Sequence, residues 1–322
     1  MYPLKFTSVL KQTIWGGDKI NELKHIQNGL PSIGESWEIS AVEGFESVVT
    51  NGQFKGYTLP KLVAELQGEL VGYDIYARFG NKFPLLVKFI DAHDDLSIQV
   101  HPDDLLAMKR HNCLGKTEMW YVLRADKDAK LIAGFSKKIT PQQYREMVSD
   151  GSFTEALQTY YVREGDVYDI PAGRVHSLGK GTMVVEVQET SDLTYRIFDY
   201  NRVDKEGNKR PLHVAQATEA INFEDVNGEA KIEYELRGNE PVELVASPKF
   251  TTSIYRVTEE ITCDYSDLDS FVILVCTNGA CRIVDGETVE GLKTGETLLL
   301  PASTNAVKVI PEGEVTLLEV YA

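Results

Sequence analysis

The segment IQVHPDD (residues 98–104) sets an amide and an imidazole two residues apart. In an extended chain side chains alternate faces with a period of two, so Gln99 and His101 share one face and Ile98 and Val100 the other. Further on, GKTEMWYVL (115–123) offers Glu118 with Lys116 at the same parity, and PAGRVHSLG (171–179) offers His176 after a Pro-Ala-Gly turn. Imidazole, carboxylate and amide oxygen together suit zinc and its first-row neighbours. Each residue alone is a weak signal, because a single His in an apolar strand is more often a hydrogen-bonded core residue than a ligand. Their coincidence is stronger, since burying several polar groups without partners is costly. His25, His93, His111 and His213 lack comparable surroundings and read as structural or exposed.

These residues need strands to carry them. Short apolar or alternating segments bounded by turn residues dominate, among them FPLLVKFID, EMWYVLRA, TMVVEVQE, LTYRIFDY, FVILVCT and VTLLEVYA. That spacing predicts a mainly β chain of antiparallel sheets arranged as sandwiches or barrels. Helical pattern is confined to two places. Residues 58–72 carry Leu62, Leu66 and Leu70 at four-residue spacing, and residues 140–160 offer Thr140 as N-cap, Pro141 as first helical residue, a break at Gly151 and a second short helix. One repeat stands out: GDVYDIPAGRVHSLG (165–179) and GETLLLPASTNAVKV (295–309) each place a Pro six residues after a Gly. Five residues beyond the Pro lies His176 in the first copy and Ala306 in the second. Two β-units are therefore expected, 1–235 with the helical insertions and 236–322 without metal ligands, near the polar NFEDVNGEAKIEYELRGNEP.

Composition narrows the partners. A net charge of −16 argues against general affinity for nucleic acid or an anionic membrane, so an anionic small substrate needs a local cluster of Lys and Arg. The start, MYPLKFTSVLKQTIWGG, has no apolar core of signal-peptide length, and no segment approaches the roughly 18 apolar residues of a membrane span. Cys113, Cys263, Cys276 and Cys281 show no CxxC spacing and read as reduced thiols. A cytoplasmic protein is expected.

GDVYDIPAGRVHSLG resembles the second motif of the cupin superfamily. The fuller set, TIWGG (13–17), GESWEIS (34–40), PLLVKFIDA (84–92), LSIQVHPDD (96–104), GKTEMWYVL, PAGRVHSLG and QETSDLTYRIFDYNR (188–202), resembles the type I mannose-6-phosphate isomerase family in its short bacterial form, over about residues 5–220. The resemblance implies a cupin-type β-sandwich or barrel (jelly roll), with small helical insertions and a second, degenerate cupin-like β-domain at the C-terminus. It implies one zinc ion per chain held by Gln99, His101, Glu118 and His176, an active-site Arg196, and Lys116 and Asp192 for proton transfer or substrate contact. One departure is Gly115, where longer members place a His. A mechanism that uses that His does not carry over.

The implied reaction interconverts mannose 6-phosphate and fructose 6-phosphate by moving a proton between C2 and C1 through an enediol(ate), whose charge a Lewis acid stabilises. The base stays open among Lys116, Asp192 and Glu189, with a plain salt bridge as the bland alternative for Lys116. Arg196 suits phosphate or an enediolate oxygen, or simply pairs with Asp192 or Asp199. Lys88 and Ser97 are expected to line the pocket, and Lys88, Lys116, Arg174 and Arg196 to make it positive. Trp15 is placed at the rim and Trp37 in the core. Alternatives are another cupin-type sugar-phosphate isomerase, an iron oxygenase, or a non-catalytic sugar-binding cupin. The expected partner is a small phosphosugar, with no nucleic acid or membrane, and the chain is expected to be a monomer or homodimer.

Overall fold

A computed structural model describes residues 1–27, 29–204, 206–226 and 229–322, so Asn227 and Gly228 of the polar connecting segment lie outside it. Among the described residues, strands pair antiparallel in four sheets. A seven-stranded sheet runs Val9–Gly17, Ile33–Ile39, Leu85–Ala92, Thr182–Glu189, Glu118–Ala125, Val167–Ile170, Lys231–Ile232. Facing it is a five-stranded sheet, Tyr195–Phe198, Ile98–Val100, His176–Leu178, Lys130–Phe135, Leu157–Tyr161. Strands from Val242 onward build a second pair: Val242–Ala246, Thr251–Val257, Val315–Tyr321, Val272–Asn278, Thr297–Leu300, and Ile261–Asp264, Ala306–Pro311, Ala280–Asp285, Thr288–Lys293.

Leu85–Ala92 and Thr182–Glu189 are buried at every position, because they lie side by side in the middle of a sheet covered on both faces. Alternation then divides their side chains. Val87, Phe89, Val185 and Val187 point outward and form one continuous core with Ile254, Ile273, Leu318 and Val320 of the second pair. Ile90, Trp120, Val122 and Val184 point the other way and pack with Leu131 and Leu178 inside the first barrel. Lys88, Glu118 and Glu186 share this inner parity. The second barrel has its own interior, from Tyr255 and Val272 to Leu317.

The repeat found in the sequence is a repeat of strand ladders. Ile170 and Leu300, each just before the shared Pro, pair with Glu118 and Val272. Two positions on, Trp120 pairs with Glu186 and Leu274 with Glu319. On its other edge Glu186 meets Lys88, and Glu319 meets Ser253. Position for position, the second unit thus carries Val272 for Glu118, Leu274 for Trp120, Ser253 for Lys88 and Ala306 for His176. It keeps a glutamate.

The two expected helical regions form. Thr140 caps Pro141–Asp150 in a capping box with Gln143, and Gly151 ends it in the left-handed region. Thr58 caps Leu59–Leu66, which is followed by Gly68–Val71. The expectation that helix is confined to these places is corrected, since Lys19–Leu23, Tyr73–Phe79, Asp104–His111 and Val214–Ala220 are helical too. Asp104–His111 shows why it escaped notice: Leu105 and Met108 are exposed and Ala107 is its buried residue, so it has no apolar stripe. Its signal is the cap, Asp103, which accepts from Leu106 N at 2.8 Å.

Candidate active site and metal centre

His101 follows the short strand Ile98–Val100, His176 opens the neighbouring strand, and Glu118 opens a strand of the facing sheet. The fold therefore brings three separate segments to one point. His101 Nδ1 lies 2.9 Å from Leu193 O and His176 Nδ1 2.8 Å from Arg174 O, which sets each Nδ1 as the donor and turns the bare Nε2 inward. The Nε2 atoms sit 3.5 and 3.3 Å from the two oxygens of Glu118. Bonds of 2.0–2.2 Å to a tetrahedral zinc would space its ligands about 3.4 Å apart.

Charge supports the same use. Burial pushes His101 well below the ordinary imidazole range and His176 down to about 3, and the Lys116 ammonium adds to both, so the rings are neutral. Burial and then the charge of Glu186 push the Glu118 carboxyl up to about 7, against the pull of Lys116. Glu118 Oε1 is buried without a hydrogen-bond partner. Two imidazole lone pairs face a carboxylate that has one oxygen, Oε1, without a partner, and a cation would complete this donor set. Among the described residues, His101, Glu118 and His176 form one group whose ligand atoms lie within 4.8 Å of one another. Gln99 pairs with His176 across the strands. Its Oε1 accepts from Ser97 at 3.2 Å and its Nε2 lies 3.3 Å from His176 Nε2, so ligation through oxygen needs the amide turned over.

Beside this centre runs a chain of buried charges. Lys116 Nζ bonds Glu118, lies 3.3 Å from His101 Nε2 and 3.7 Å from Glu186. Glu186 in turn accepts from Lys88 at 3.0 Å and from Trp120 Nε1 at 2.9 Å, and Lys88 reaches Glu35 at 3.6 Å. Burial alone would raise the Glu186 carboxyl, but the ammonium groups of Lys116 and Lys88 outweigh it and hold it at about 2.

These residues open on a cavity of about 990 Å³ whose wall includes Trp15, Lys88, Ser97, Gln99, Lys116, Asp192 and Arg196. Trp37 is 1% exposed, so it packs as expected, yet one edge borders the same cavity and its Nε1 donates to Glu35 at 2.6 Å. Arg196 finds no carboxylate among the described residues: Asp199 is taken by Arg202 and Arg210, at 2.6 and 2.5 Å. Its Nη1 donates to Pro211 O, and its Nε is buried without a partner. Two expectations are corrected. Arg174 turns away to pair with Asp225 and to donate to Asp169 O, outside the cavity wall. Glu189 also faces elsewhere, accepting from Thr117 N and Lys249.

A family model described as phosphomannose isomerase type I, catalytic domain, matches residues 3–151. A mannose-6-phosphate isomerase of Streptococcus mutans is 36% identical over 305 residues, covering 93% of this chain and 92% of that one. The chain belongs to the type I phosphomannose isomerase family. ManA of Bacillus subtilis, also a mannose-6-phosphate isomerase, is 34% identical over 306 residues, with 93% of each chain covered. The crystal structure of the mannose 6-phosphate isomerase from Bacillus subtilis superposes over 100% of both chains with a TM-score of 0.90 at 31% identity. The apo form from Salmonella typhimurium reaches 0.77 at 17% identity, a likeness of fold alone.

Within the family frame, Gly115 has a local cause. A Cβ there would lie 2.6 Å from Asp103 C and Asp104 N, so the backbones touch and no side chain fits. Residues missed in the sequence include Glu186, Glu35, Lys11 and Arg210, all on the cavity wall, where His213, read as structural or exposed, also lies. Glu186 left a signal, since a charge interrupts TMVVEVQE as Lys88 interrupts PLLVKFI, and the two sit opposite each other in the ladder.

Proposed function

We propose that this chain is a zinc-dependent mannose-6-phosphate isomerase, converting D-mannose 6-phosphate to D-fructose 6-phosphate and back. The carrying observation is the convergence of two neutral imidazoles on the buried Glu118 carboxylate, His176 facing its unpartnered Oε1 and His101 its Oε2, beside a cavity with Lys88, Lys116 and Arg196. His101, Glu118 and His176, with Gln99 beside them, would hold one zinc ion, which supplies Lewis-acid stabilisation of developing negative charge.

The chain's own groups supply the rest. Lys116 Nζ, bonded to Glu118 and near Glu186, is the group we assign to proton transfer between C2 and C1, taking the proton from one carbon as the neutral amine and returning it to the other from the ammonium so formed. Asp192 is exposed on the cavity wall, whereas Glu189 faces away from it. Glu186, ionised between two ammonium groups, holds Lys88 and Lys116 in place. Arg196 lies directly across from Gln99, whose strand separates it from that of His176. Its guanidinium lacks a carboxylate partner among the described residues, which supports assigning it to the enediolate oxygen. Ser97 orients Gln99, and Trp15 covers the cavity wall.

The catalytic machinery is assigned to residues 1–235, and 236–322 to a unit without a metal site. A cytoplasmic monomer or homodimer completes the proposal. Among the described residues no helix is long and apolar enough to cross a membrane. The test is a coupled assay of fructose 6-phosphate formation from mannose 6-phosphate. Turnover is expected, and its absence with every hexose phosphate tried overturns the isomerase.

A further inference from the structure

Lys249 belongs to the second sheet pair but reaches toward the candidate site. It sits in the tight loop between the strands ending at Ala246 and starting at Thr251, which pair across it. The loop is well fixed. Ser247 Oγ accepts from Lys249 N and Phe250 N, both at 3.2 Å, and the Phe250 ring is 1% exposed in the core shared by both units. From this base the ammonium crosses 145 residues of sequence to bond Asp104, and it meets Glu189 at 2.8 Å.

Both carboxylates are already holding something else. Asp104 Oδ1 accepts from Gly115 N at 2.8 Å, and Glu189 Oε2 accepts from Thr117 N at 2.8 Å. Between them, Lys116 N donates to Pro102 O at 3.1 Å. Every amide of the segment that delivers Lys116 and Glu118 is thus gripped, two of them by carboxylates that meet at one ammonium. Without that ammonium the two anions would face each other uncompensated and move apart, taking their hydrogen bonds with them.

We propose that Lys249 is a positioning residue: it clamps Asp104 and Glu189 so that the Gly115–Thr117 backbone holds the Lys116 ammonium and the Glu118 carboxylate at their working distances. The metal-free unit thereby contributes to the site without touching substrate. The kinetic side of this inference rests on the isomerase proposal, and the metal-affinity side does not.

The experiment compares the full-length wild type with Lys249→Ala, Lys249→Arg and Glu189→Gln. It measures kcat and KM for mannose 6-phosphate, zinc affinity by chelator competition, and Tm. Lys249→Ala is expected to lower kcat and zinc affinity about tenfold each, as losing a group that orients a ligand does. KM should stay within twofold. Lys249→Arg should recover most of both losses, because a guanidinium can span two carboxylates. Glu189→Gln, which keeps an oxygen for Thr117 N but loses the ion pair, should show the same pattern more weakly. Zinc affinity and kcat within twofold of wild type in Lys249→Ala overturn the proposal. So does an equal loss in Lys249→Arg, or a loss that only tracks a fall in Tm. If the wild type turns over no hexose phosphate, the isomerase proposal fails while the zinc measurement still decides this one.

Discussion

Glu186 and Glu319 occupy the same rung of two similar strand ladders, yet their surroundings treat them in opposite ways. Around Glu186 stand Lys88, Lys116 and the Trp120 indole N–H, and the carboxyl is held at about 2 despite its burial. Around Glu319 the corresponding partners are Ser253 and Leu274, and its oxygens receive hydroxyls from Tyr265 at 2.6 Å and Tyr255 at 3.3 Å. Burial, opposed only by those hydroxyls, pushes that carboxyl above its ordinary range. A buried carboxyl is held ionised where cations accompany it, and where they do not its ordinary range is shifted upward. The second unit has Ala306, Ser253 and Val272 where the first has His176, Lys88 and Glu118, and tyrosines satisfy Glu319 instead.

The comparison can be broken by the same change in both places. Glu186→Gln should lower kcat/KM by about 10², the size of a disturbed proton-transfer group, with zinc content unchanged. Glu319→Gln should leave kcat/KM within twofold. Similar effects from the two substitutions would show that the units do not differ in the way described. A smaller effect is expected at Arg196, where Arg196→Lys keeps the charge but not the fork. We expect kcat to fall about tenfold with KM nearly constant. A rise in KM alone would move Arg196 to the phosphate.

The smallest effect concerns stability. Because the folded-state value of Glu319 lies above the ordinary 4.5, the folded protein keeps this proton to higher pH than the unfolded chain does. Its contribution is complete below that ordinary value and is lost as pH rises through the raised one. Glutamine does not titrate. The Tm of Glu319→Gln minus that of wild type should therefore grow as pH is raised from the ordinary value upward. A flat difference, measured by thermal unfolding across that range, would mean that Glu319 titrates normally.

Much of the site could be read before the fold was seen, and the reason is the period of two in strands. Gln99 and His101, and Lys116 and Glu118, share parity within short stretches, so local alternation places them correctly. Arg174 misled because Asp225 and the Asp169 carbonyl draw its guanidinium away from the cavity, and no local pattern encodes those contacts. Glu186 needed register, since only the ladder shows that its charge lies opposite Lys88. Lys249 left no local trace at all. Its meaning depends on a contact between distant segments, and no period in the sequence encodes that. The family and the mainly β, duplicated architecture were visible for a different reason, because turn motifs such as PAGRVHSLG combine several constraints in a few residues.

The central claim is that one metal, in the first unit only, separates a catalytic barrel from its silent copy. It is tested most directly by stripping the protein with a chelator, restoring zinc in measured steps, and following isomerase activity alongside bound metal. The account predicts no activity in the stripped protein and a linear rise to a plateau at one zinc per chain. In Glu118→Ala the rise should be absent, while in Glu319→Gln it should match wild type. Full turnover without metal, or a plateau reached only at two zinc ions per chain, would contradict it.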